Sequence, residues 1–170
     1  MINIVLLEPE IPQNTGNIGR TCVATGSVLH LIEPMGFKID EKSVKRAGLD
    51  YWSHLDVRKY ISFQDFLEKN PDARNNIFMA TTKGLNRYDE VKYTDNCYIM
   101  FGKESAGIPE GILMEYKDSC IRIPMKQDIR SLNLGNSVAI VLYESLRQLG
   151  FPQFQYHGEL HDHAWSELGN

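Results

Sequence analysis

Length and composition restrict this chain to one ordinary globular domain. Its 170 residues are 42% hydrophobic and 24% charged, without a low-complexity tract, an apolar stretch of bilayer length or a signal peptide, so we expect a cytoplasmic protein that does not span a membrane. The net charge of −4 argues weakly against a nucleic-acid partner.

Apolar runs and helix signals alternate along the chain and predict an α/β fold. Strands are predicted at residues 2–7, 28–32, 56–60, 77–82, 98–101 and 120–124. Helices are predicted at residues 15–26, 40–48, 63–69, 109–116 and 133–149, with Ser62 as the N-cap of the third. Nearly continuous apolar strands separated by helices predict a mostly parallel sheet covered on both faces. We therefore assign residues 1–152 to one domain and 153–170 to a C-terminal tail.

Three segments rich in Gly, Asn and Ser each follow a predicted strand. They are NTGNIGR at residues 14–20, FGKESAG at 101–107 and IPMKQDIRSLNLGNS at 123–137. Glycine lets a backbone approach a ligand closely, whereas Asn and Ser cap helices. Because ligands bind at the carboxyl ends of parallel strands in open α/β folds, the three segments predict one composite site.

Neither of the common nucleotide fingerprints is present in these segments. Gly16 and Gly19 lack the GxGxxG spacing of a dinucleotide site, and FGKESAG is not a Walker sequence. Arg20 lies one turn into the first helix, where anions are favoured, or it is a surface residue paired with a carboxylate. Glu104 either receives a hydroxyl or a cation, or adds charge at the start of the next helix. Ser131 and Asn133 are candidate caps of the last helix.

The residue types that usually hold metals give no metal site here. Cys22, Cys97 and Cys120 are widely spaced and predict buried reduced thiols. His30 alternates within a strand and is interpreted as a core or dimer residue. The spacing of the tail histidines at 157, 161 and 163 is compatible with a metal, but a polar tail is the favoured interpretation, and Met125 is assigned to core packing.

Basic residues cluster despite the acidic total. Lys42, Lys45 and Arg46 share one predicted helix, and further basic residues flank the special segments: Lys83, Arg87, Lys126 and Arg130. This patch either contacts a phosphate backbone or is an ordinary solvated surface.

The last predicted helix is apolar on nearly every side. Residues 138–142 are all hydrophobic, and Leu146 and Leu149 extend the run. A helix of this kind is buried on more than one side. One side packs on the sheet, and we expect the other to pack on a second copy in a homodimer.

Six matches in order resemble one family of enzymes. They are EPEIPQNTGNIGR, HLIEPMGF, RAGLDY, TTKG, IMFGKESAGIP, and IRIPM with RSLNLGNSVAIVLYE. Together they resemble the SPOUT class of S-adenosylmethionine-dependent RNA methyltransferases, in the branch that methylates ribose 2′-hydroxyls. The closest resemblance is to the small bacterial tRNA wobble-position enzymes that lack an added RNA-binding domain.

The resemblance implies a fold, a reaction and a set of site residues. It implies a deep C-terminal trefoil knot in which residues 123–149 pass through a loop formed by about 78–102. The implied substrate is the 2′-hydroxyl of the wobble nucleotide of tRNA, a cytidine or a modified uridine. The alternatives are the same chemistry on another RNA, such as rRNA, or a non-catalytic RNA-binding or assembly factor. The implied S-adenosyl-L-methionine site contains Ala80, Gly102, Ile123, Ser131 and Leu132.

The resemblance also implies the catalytic residues and those that support them. Arg20, from one subunit or across the dimer, acts on the ribose hydroxyl either as a general base or as an electrostatic orienter, and a guanidinium rarely deprotonates. Tyr143 orients the substrate. The other implied residues are the site supports Asn14, Glu104 and Asn133. From the clustering of basic charge, and not from the resemblance, we expect Lys45, Arg46, Lys83 and Arg130 to bind the RNA.

One departure from the family pattern concerns Gly19, where the family more often has isoleucine. Glycine inside a helix costs up to about 1 kcal/mol against a good helix former. A looser edge of the site, or a different substrate, is expected from this change.

Overall fold

The computed structural model describes residues 1–37, 50–163 and 165, and within them one parallel sheet forms the centre of the fold. The strands are β1 (Asn3–Leu7), β2 (Val28–Ile32), β3 (Val57–Tyr60), β4 (Ile77–Ala80), β5 (Asn86–Arg87), β6 (Tyr98–Phe101) and β7 (Cys120–Arg122). Their order across the sheet is β3-β2-β1-β6-β4-β7-β5, and every pairing is parallel. The predicted α/β fold with a mostly parallel sheet is confirmed.

Helices lie between the strands in the described part of the chain. They are α1 (Pro12–Thr25), α2 (Phe63–Lys69), α3 (Glu110–Glu115) and α4 (Leu134–Gln148), with shorter 3₁₀ turns at Asp50–His54, Pro71–Asn75 and Lys117–Ser119. None of these helices is long and apolar enough to cross a membrane. The helix predicted at 40–48 lies outside the described residues.

Local capping chemistry explains which predicted bounds are accurate. The helix predicted at 63–69 has the observed bounds, and the Ser62 hydroxyl accepts a hydrogen bond from the Asp65 backbone N–H at 3.1 Å. Helix α1 begins at Pro12, earlier than predicted, because proline at a first helical position lacks only an N–H that would have no partner. Strand β5 was not predicted, since two polar residues carry no periodic signal.

The sheet carries a separate hydrophobic core on each face. On the α1/α4 face, Ile18 of α1 and Val141 of α4 pack with Ile4 and Ile99 of the central strands. On the α2/α3 face, Phe66 of α2 and Leu113 of α3 pack on the alternate strand residues. Successive strand side chains point to opposite faces, so a sheet covered on both faces requires the continuous apolar strands seen in the sequence.

His30 is a core residue of the α2/α3 face. Its side chain is fully buried, with Nδ1 2.8 Å from the Tyr60 hydroxyl and Nε2 3.1 Å from the Asn3 side-chain oxygen. Asn70 donates to the same Tyr60 hydroxyl at 3.1 Å. One neutral tautomer satisfies every group, with Tyr60 donating to Nδ1 and Nε2 donating to Asn3. Burial accordingly lowers the pKa of His30 to about 4.

The three cysteines are buried free thiols, as predicted. Burial raises the pKa of Cys22 to about 12 and that of Cys97 to about 11. A thiol whose ionisation is suppressed in this way is a packing residue, because the thiolate is the reactive form.

Helix α4 buries one face within its own chain. Its N-cap is Asn133, whose side-chain oxygen accepts from the Asn136 N–H at 3.2 Å, so Ser131 does not cap it. The opposite stripe is exposed and includes Ile140 and Tyr143, which are 37% and 45% accessible. Asn136 and Arg147 lie on the same exposed stripe, so one chain leaves the apolar side chains of Ile140 and Tyr143 uncovered between two polar residues.

The chain continues to pack after α4. Phe151 and Phe154 lie against the core of the α1/α4 face, and the Tyr156 hydroxyl donates to the Gly150 and Phe151 carbonyls at 3.0 and 2.9 Å.

Candidate active site

A cavity of about 480 Å³ lies at the carboxyl edge of the sheet. Because β1, β6, β4 and β7 are neighbours, the loops that follow them converge there. The walls come from the ends of those strands, from their loops and from the first turns of α4. This is the position at which open α/β sheets bind ligands, and its size is in the range of about 300 to 1,000 Å³ typical of small-molecule sites.

The structure brings together the residues assigned to the cofactor. All five line this one cavity: Ala80, Gly102, Ile123, Ser131 and Leu132. Five further site and RNA-binding residues assigned from the sequence also line it: Asn14, Lys83, Glu104, Arg130 and Asn133. Arg20 and Tyr143 do not, and Lys45 and Arg46 lie outside the described residues.

The walls suit a flat nucleoside with a polar tail. Phe101, Ile121 and Val141 supply apolar surface, and the backbone of the 102–107 loop supplies polar groups. Met125 lines the cavity too, which corrects its assignment to ordinary core packing. A flexible thioether side chain adapts its shape to a ligand, and sequence pattern alone does not separate that use from core filling.

Gly102 is required by the tight turn after β6. The Gly107 N–H donates to the Lys103 carbonyl at 2.8 Å, and a Cβ on Gly102 would lie 2.0 Å from the Gly107 carbonyl carbon. Real side chains never approach backbone so closely, so only glycine permits this turn. The turn presents its backbone to the cavity.

Ion pairs and hydrogen bonds fasten the loop after β6 to the loop after β1. Lys103 pairs with Glu8 at 2.8 Å, and the Glu10 carboxylate accepts from the Ser105 N–H and hydroxyl at 2.9 and 2.8 Å. Hydrogen bonds from the Ser105 backbone and then its side chain lower the pKa of Glu10. One wall of the cavity is therefore held in place before any ligand binds.

Glu104 anchors the start of α1. Its carboxylate accepts from the backbone N–H groups of Glu10 and Ile11 at 2.8 and 3.2 Å, and from the Asn14 amide at 3.0 Å. The interpretation that Glu104 adds charge to the next helix along the chain is wrong, because the helix whose start it contacts is α1. An acid at a helix N-terminus is stabilising.

Asn14 joins three parts of the site. Its amide donates to Glu104, and its side-chain oxygen accepts from the Asn133 amide at 3.0 Å. Asn133 in turn caps α4. The two amides thus tie the starts of α1 and α4 to the loop after β6, which fixes the relative positions of the elements around the cavity.

Arg20 lies on the exposed side of α1, six residues after Asn14, or about 9 Å along the helix axis. Within the described residues it forms no ion pair, so the interpretation as a surface arginine paired with a carboxylate finds no partner there. Its guanidinium lies over the ring of Tyr51, 5.5 Å from the centroid. Tyr51 ends the RAGLDY segment, but the sequence predicted no role for it.

Gly19 is tightly packed, which is the opposite of the looser edge expected from the sequence. A Cβ at this position would lie 3.0 Å from both the Trp52 ring and the Leu55 side chain. The indole of Trp52 occupies the space that a larger residue on α1 would need.

The basic patch separates into paired and unpaired charges. Lys83 pairs with Glu110 at 2.6 Å, and Arg87 pairs with Asp89 at 2.6 Å. Lys126 and Arg130, in the exposed loop after β7, have no carboxylate partner among the residues that the structure describes. Among the basic residues that line the cavity, Lys83 and Lys103 are each paired with a carboxylate, whereas the charge of Arg130 is free to contact a phosphate.

In the described ranges, no group of three or more His, Cys, Asp and Glu side chains is arranged to hold a metal ion.

Tyr143 lies on the exposed stripe of α4, with its ring centroid 6.4 Å from that of Phe151.

Comparisons with known proteins agree with this architecture. The model of the SpoU rRNA Methylase family matches residues 1–143. A tRNA (cytidine(34)-2′-O)-methyltransferase of Escherichia coli strain K12 is 51% identical over 153 residues, which cover 89% of this chain and 96% of that protein.

Solved structures show the same fold. One, from work on the 2-OH methylation of C/U34 on tRNA, superposes with a TM-score of 0.80 at 43% identity, covering 88% of this chain and 97% of that one. Another is the SpoU methyltransferase AviRb from Streptomyces viridochromogenes in complex with AdoMet. It superposes with a TM-score of 0.70 at 25% identity, covering 86% of this chain and 57% of that one.

Proposed function

Since the chain belongs to the SpoU rRNA methylase family, we propose that it methylates the ribose 2′-hydroxyl of the wobble nucleotide in a tRNA anticodon, using S-adenosylmethionine. The observation that carries the substrate is the 51% identity with the Escherichia coli enzyme across 96% of that protein's length. The target nucleotide is a cytidine or a modified uridine, in keeping with the structure from work on C/U34. A tRNA substrate agrees with the cytoplasmic location expected from the sequence.

The cavity fits the cofactor. Adenosine needs an apolar slot and backbone donors and acceptors, which Ile123, Leu132 and the Gly102 turn provide. When bound, S-adenosylmethionine supplies a methyl group on a positively charged sulfur. The protein contributes position, because a displacement at carbon depends mainly on alignment of the two reactants.

Arg20 is the proposed residue that acts on the ribose hydroxyl. A guanidinium stays protonated at any physiological pH, so we assign it the role of donor and electrostatic orienter and not of general base. Its charge is available for this role, because no described carboxylate neutralises it. A fixed positive charge stabilises the negative charge that grows on the attacking oxygen.

Asn14, Glu104 and Asn133 are proposed as positioning residues. Their side chains bond to one another and to the start of α1, so none is free to act as a base. They hold the helix that carries Arg20 against the loop that forms the cavity wall.

A homodimer completes the proposal. Arg20 and Tyr143 lie outside the cavity of their own chain, and the apolar side chains of Ile140 and Tyr143 are uncovered on the exposed side of α4. A second copy packed on this stripe would cover it and bring an Arg20 towards a cavity. Sedimentation should therefore give twice the 19.5 kDa chain mass at micromolar concentration, and a compact 19.5 kDa species would refute the dimer.

We also propose the trefoil knot. Strand β7 pairs with both β4 and β5, and the connection between those two strands crosses it in backbone contact. A Cβ on Gly84 in that connection would lie 2.5 Å from the Ile121 carbonyl carbon. This crossing supports passage of the chain after β7 through the loop. A chain closed end to end should stay knotted in denaturant, with a smaller hydrodynamic radius than an unknotted closed control.

The proposed function is tested by mapping ribose methylation in tRNA from cells with and without the gene. We expect 2′-O-methylation of the wobble nucleotide to disappear on deletion and to return when purified protein and S-adenosylmethionine are added. Loss of methylation at an rRNA site instead would assign the same chemistry to another RNA. If no modification changes and S-adenosylhomocysteine does not bind, the protein is an RNA-binding or assembly factor.

A further inference from the structure

We propose that Tyr51 is a positioning residue that holds the Arg20 guanidinium in its working orientation. The inference rests on the proposed function, in which Arg20 acts on the ribose hydroxyl. It concerns a tyrosine in the 3₁₀ turn Asp50–His54, which packs against α1 at some distance along the chain.

Tyr51 contacts α1 at two points one helical turn apart. Its hydroxyl donates to the Gly16 carbonyl at 2.6 Å, and its ring lies 5.5 Å from the Arg20 guanidinium carbon. In an α-helix the carbonyl of residue 16 is also the acceptor for the N–H of residue 20. The tyrosine therefore fixes the backbone turn that carries Arg20 and also the end of its side chain.

Nothing else in the described residues restrains Arg20. It has no carboxylate partner there, and an exposed arginine has several rotatable bonds whose freedom must be lost before its charge is useful. A carboxylate would orient the side chain but would cancel the charge. An aromatic face orients a guanidinium and leaves its N–H donors free for a substrate.

The turn that carries Tyr51 is itself fixed against α1. Trp52, the next residue, lies against Gly19, where a Cβ would be 3.0 Å from its ring. The small residue at position 19 lets this turn pack close to the helix beside Arg20. Glycine at position 19, which departs from the family pattern, and the contact of Tyr51 with Arg20 are thus parts of the same packing between the 3₁₀ turn and α1.

The effect of the Arg20 charge on the pKa of Tyr51 gives an independent test of the contact between the two side chains. Burial raises the pKa of Tyr51, and the nearby positive charge of Arg20 opposes that rise. Replacing Arg20 by alanine should therefore raise the pKa of Tyr51 further.

The test compares Tyr51→Leu with Tyr51→Phe in single-turnover methylation of tRNA. The leucine variant loses the ring and the hydroxyl, and we expect the transfer rate to fall roughly 10- to 100-fold with unchanged affinity for S-adenosylhomocysteine. The phenylalanine variant keeps the ring and should recover most of the rate. In an Arg20→Lys background the leucine change should cost much less, because the two residues act as a unit.

Tyr116→Leu is the matched control, since Tyr116 is also half-buried but packs against Phe63 on the α2/α3 face, 6.1 Å between ring centroids. We expect it to leave the transfer rate unchanged. A Tyr51→Leu variant that transfers at the wild-type rate, or one that Tyr51→Phe does not rescue, would overturn the proposal.

A measurement that does not depend on methyl transfer tests this proposal separately from the proposed function. The ring of Tyr51 should shift the Arg20 side-chain Nε–H resonance in nuclear magnetic resonance, and the shift should vanish in Tyr51→Leu and persist in Tyr51→Phe. If the wild type methylates no tRNA, the proposed function fails while this contact is still measured. If the resonance is unmoved by Tyr51→Leu, the positioning role is wrong whatever the substrate.

Discussion

The two faces of the sheet use buried polar groups in different ways. On the α2/α3 face, His30, Tyr60, Asn70 and Asn3 are all buried and bond to one another and to backbone, and the Asn3 amide also donates to the Asn96 side chain at 3.3 Å. On the α1/α4 face, the polar groups collect at the carboxyl edge of the sheet, where Asn14, Glu104 and Asn133 border an open cavity.

The two faces of the sheet therefore have different roles. The polar groups on the α2/α3 face stabilise the fold, and those on the α1/α4 face position the groups that react. A buried network whose polar groups are satisfied within the protein stabilises and rigidifies the fold. A network that ends at a cavity, on the helix whose Arg20 has no carboxylate partner among the described residues, holds reactive geometry in place. Changes on the α1/α4 face should therefore alter methyl transfer, and changes on the α2/α3 face should alter stability alone.

Arg20→Ala should have the largest effect on transfer. Removal of a charge that stabilises the attacking oxygen is expected to lower the rate by roughly 10²- to 10³-fold or more. Affinity for S-adenosylhomocysteine, measured by calorimetry, should stay unchanged because Arg20 does not line the cavity. Arg74→Ala, at an exposed arginine in the 3₁₀ turn on the other face, is the control. If Arg20→Ala lost affinity in proportion to rate, Arg20 would be a binding residue.

Gly102→Ala should abolish cofactor binding. The added Cβ would lie 2.0 Å from backbone, so the 102–107 turn must change shape. Gly111→Ala is the matched control on α3, where a Cβ meets no atom within 4 Å and should stabilise the helix by up to about 1 kcal/mol. Calorimetry with S-adenosylhomocysteine and urea unfolding of both variants separate the two effects. Retained affinity in Gly102→Ala would show that the turn is not part of the cofactor site.

The sequence predicted what local chemistry determines. The Ser62 cap, the central strands and the Gly-rich loops follow from residue types within a few positions of one another. Contacts between distant residues were missed. Glu104 bonds to the start of α1, more than 90 residues earlier, and Tyr51 reaches Gly16 and Arg20 through packing that no spacing encodes. The five cofactor residues were grouped by family resemblance, and periodicity alone would not have grouped them.

His30 should make stability depend on pH without affecting the site. Its pKa is lowered to about 4 in the folded state, so the unfolded chain, with a pKa near about 6.5, binds the proton more tightly. The stabilising contribution is complete above the unfolded pKa and is lost as pH falls through 4. We expect about 3 kcal/mol less stability from this group at pH 4 than at pH 7.

Urea unfolding of wild type and His30→Asn at several pH values measures the contribution of His30. The variant should show a smaller loss of stability between pH 7 and pH 4, while its transfer rate at pH 7 per folded molecule stays at the wild-type value. If the free energy of unfolding depended equally on pH in the two proteins, or if the variant transferred the methyl group more slowly, the assignment of separate roles to the two faces would be wrong.

The smallest expected effect concerns the basic residues near the cavity. For about four neutralised phosphates, log affinity for tRNA should fall with log salt with a slope near −3 to −4. Arg130→Gln should reduce the magnitude of the slope by about 1. Lys83→Gln should change it less, because Lys83 is already paired with Glu110 at 2.6 Å. A flat wild-type response would identify the patch as solvated surface.

The most direct test of the whole account is a methyl-transfer assay on two matched tRNAs. One carries an ordinary cytidine at the wobble position, and the other carries 2′-deoxycytidine there, so that only the hydroxyl oxygen is missing. With labelled S-adenosylmethionine, we expect label in the first tRNA, located on the wobble ribose, and none in the second. Equal labelling of both tRNAs would contradict the claim that the α1/α4 face directs a methyl group to that hydroxyl.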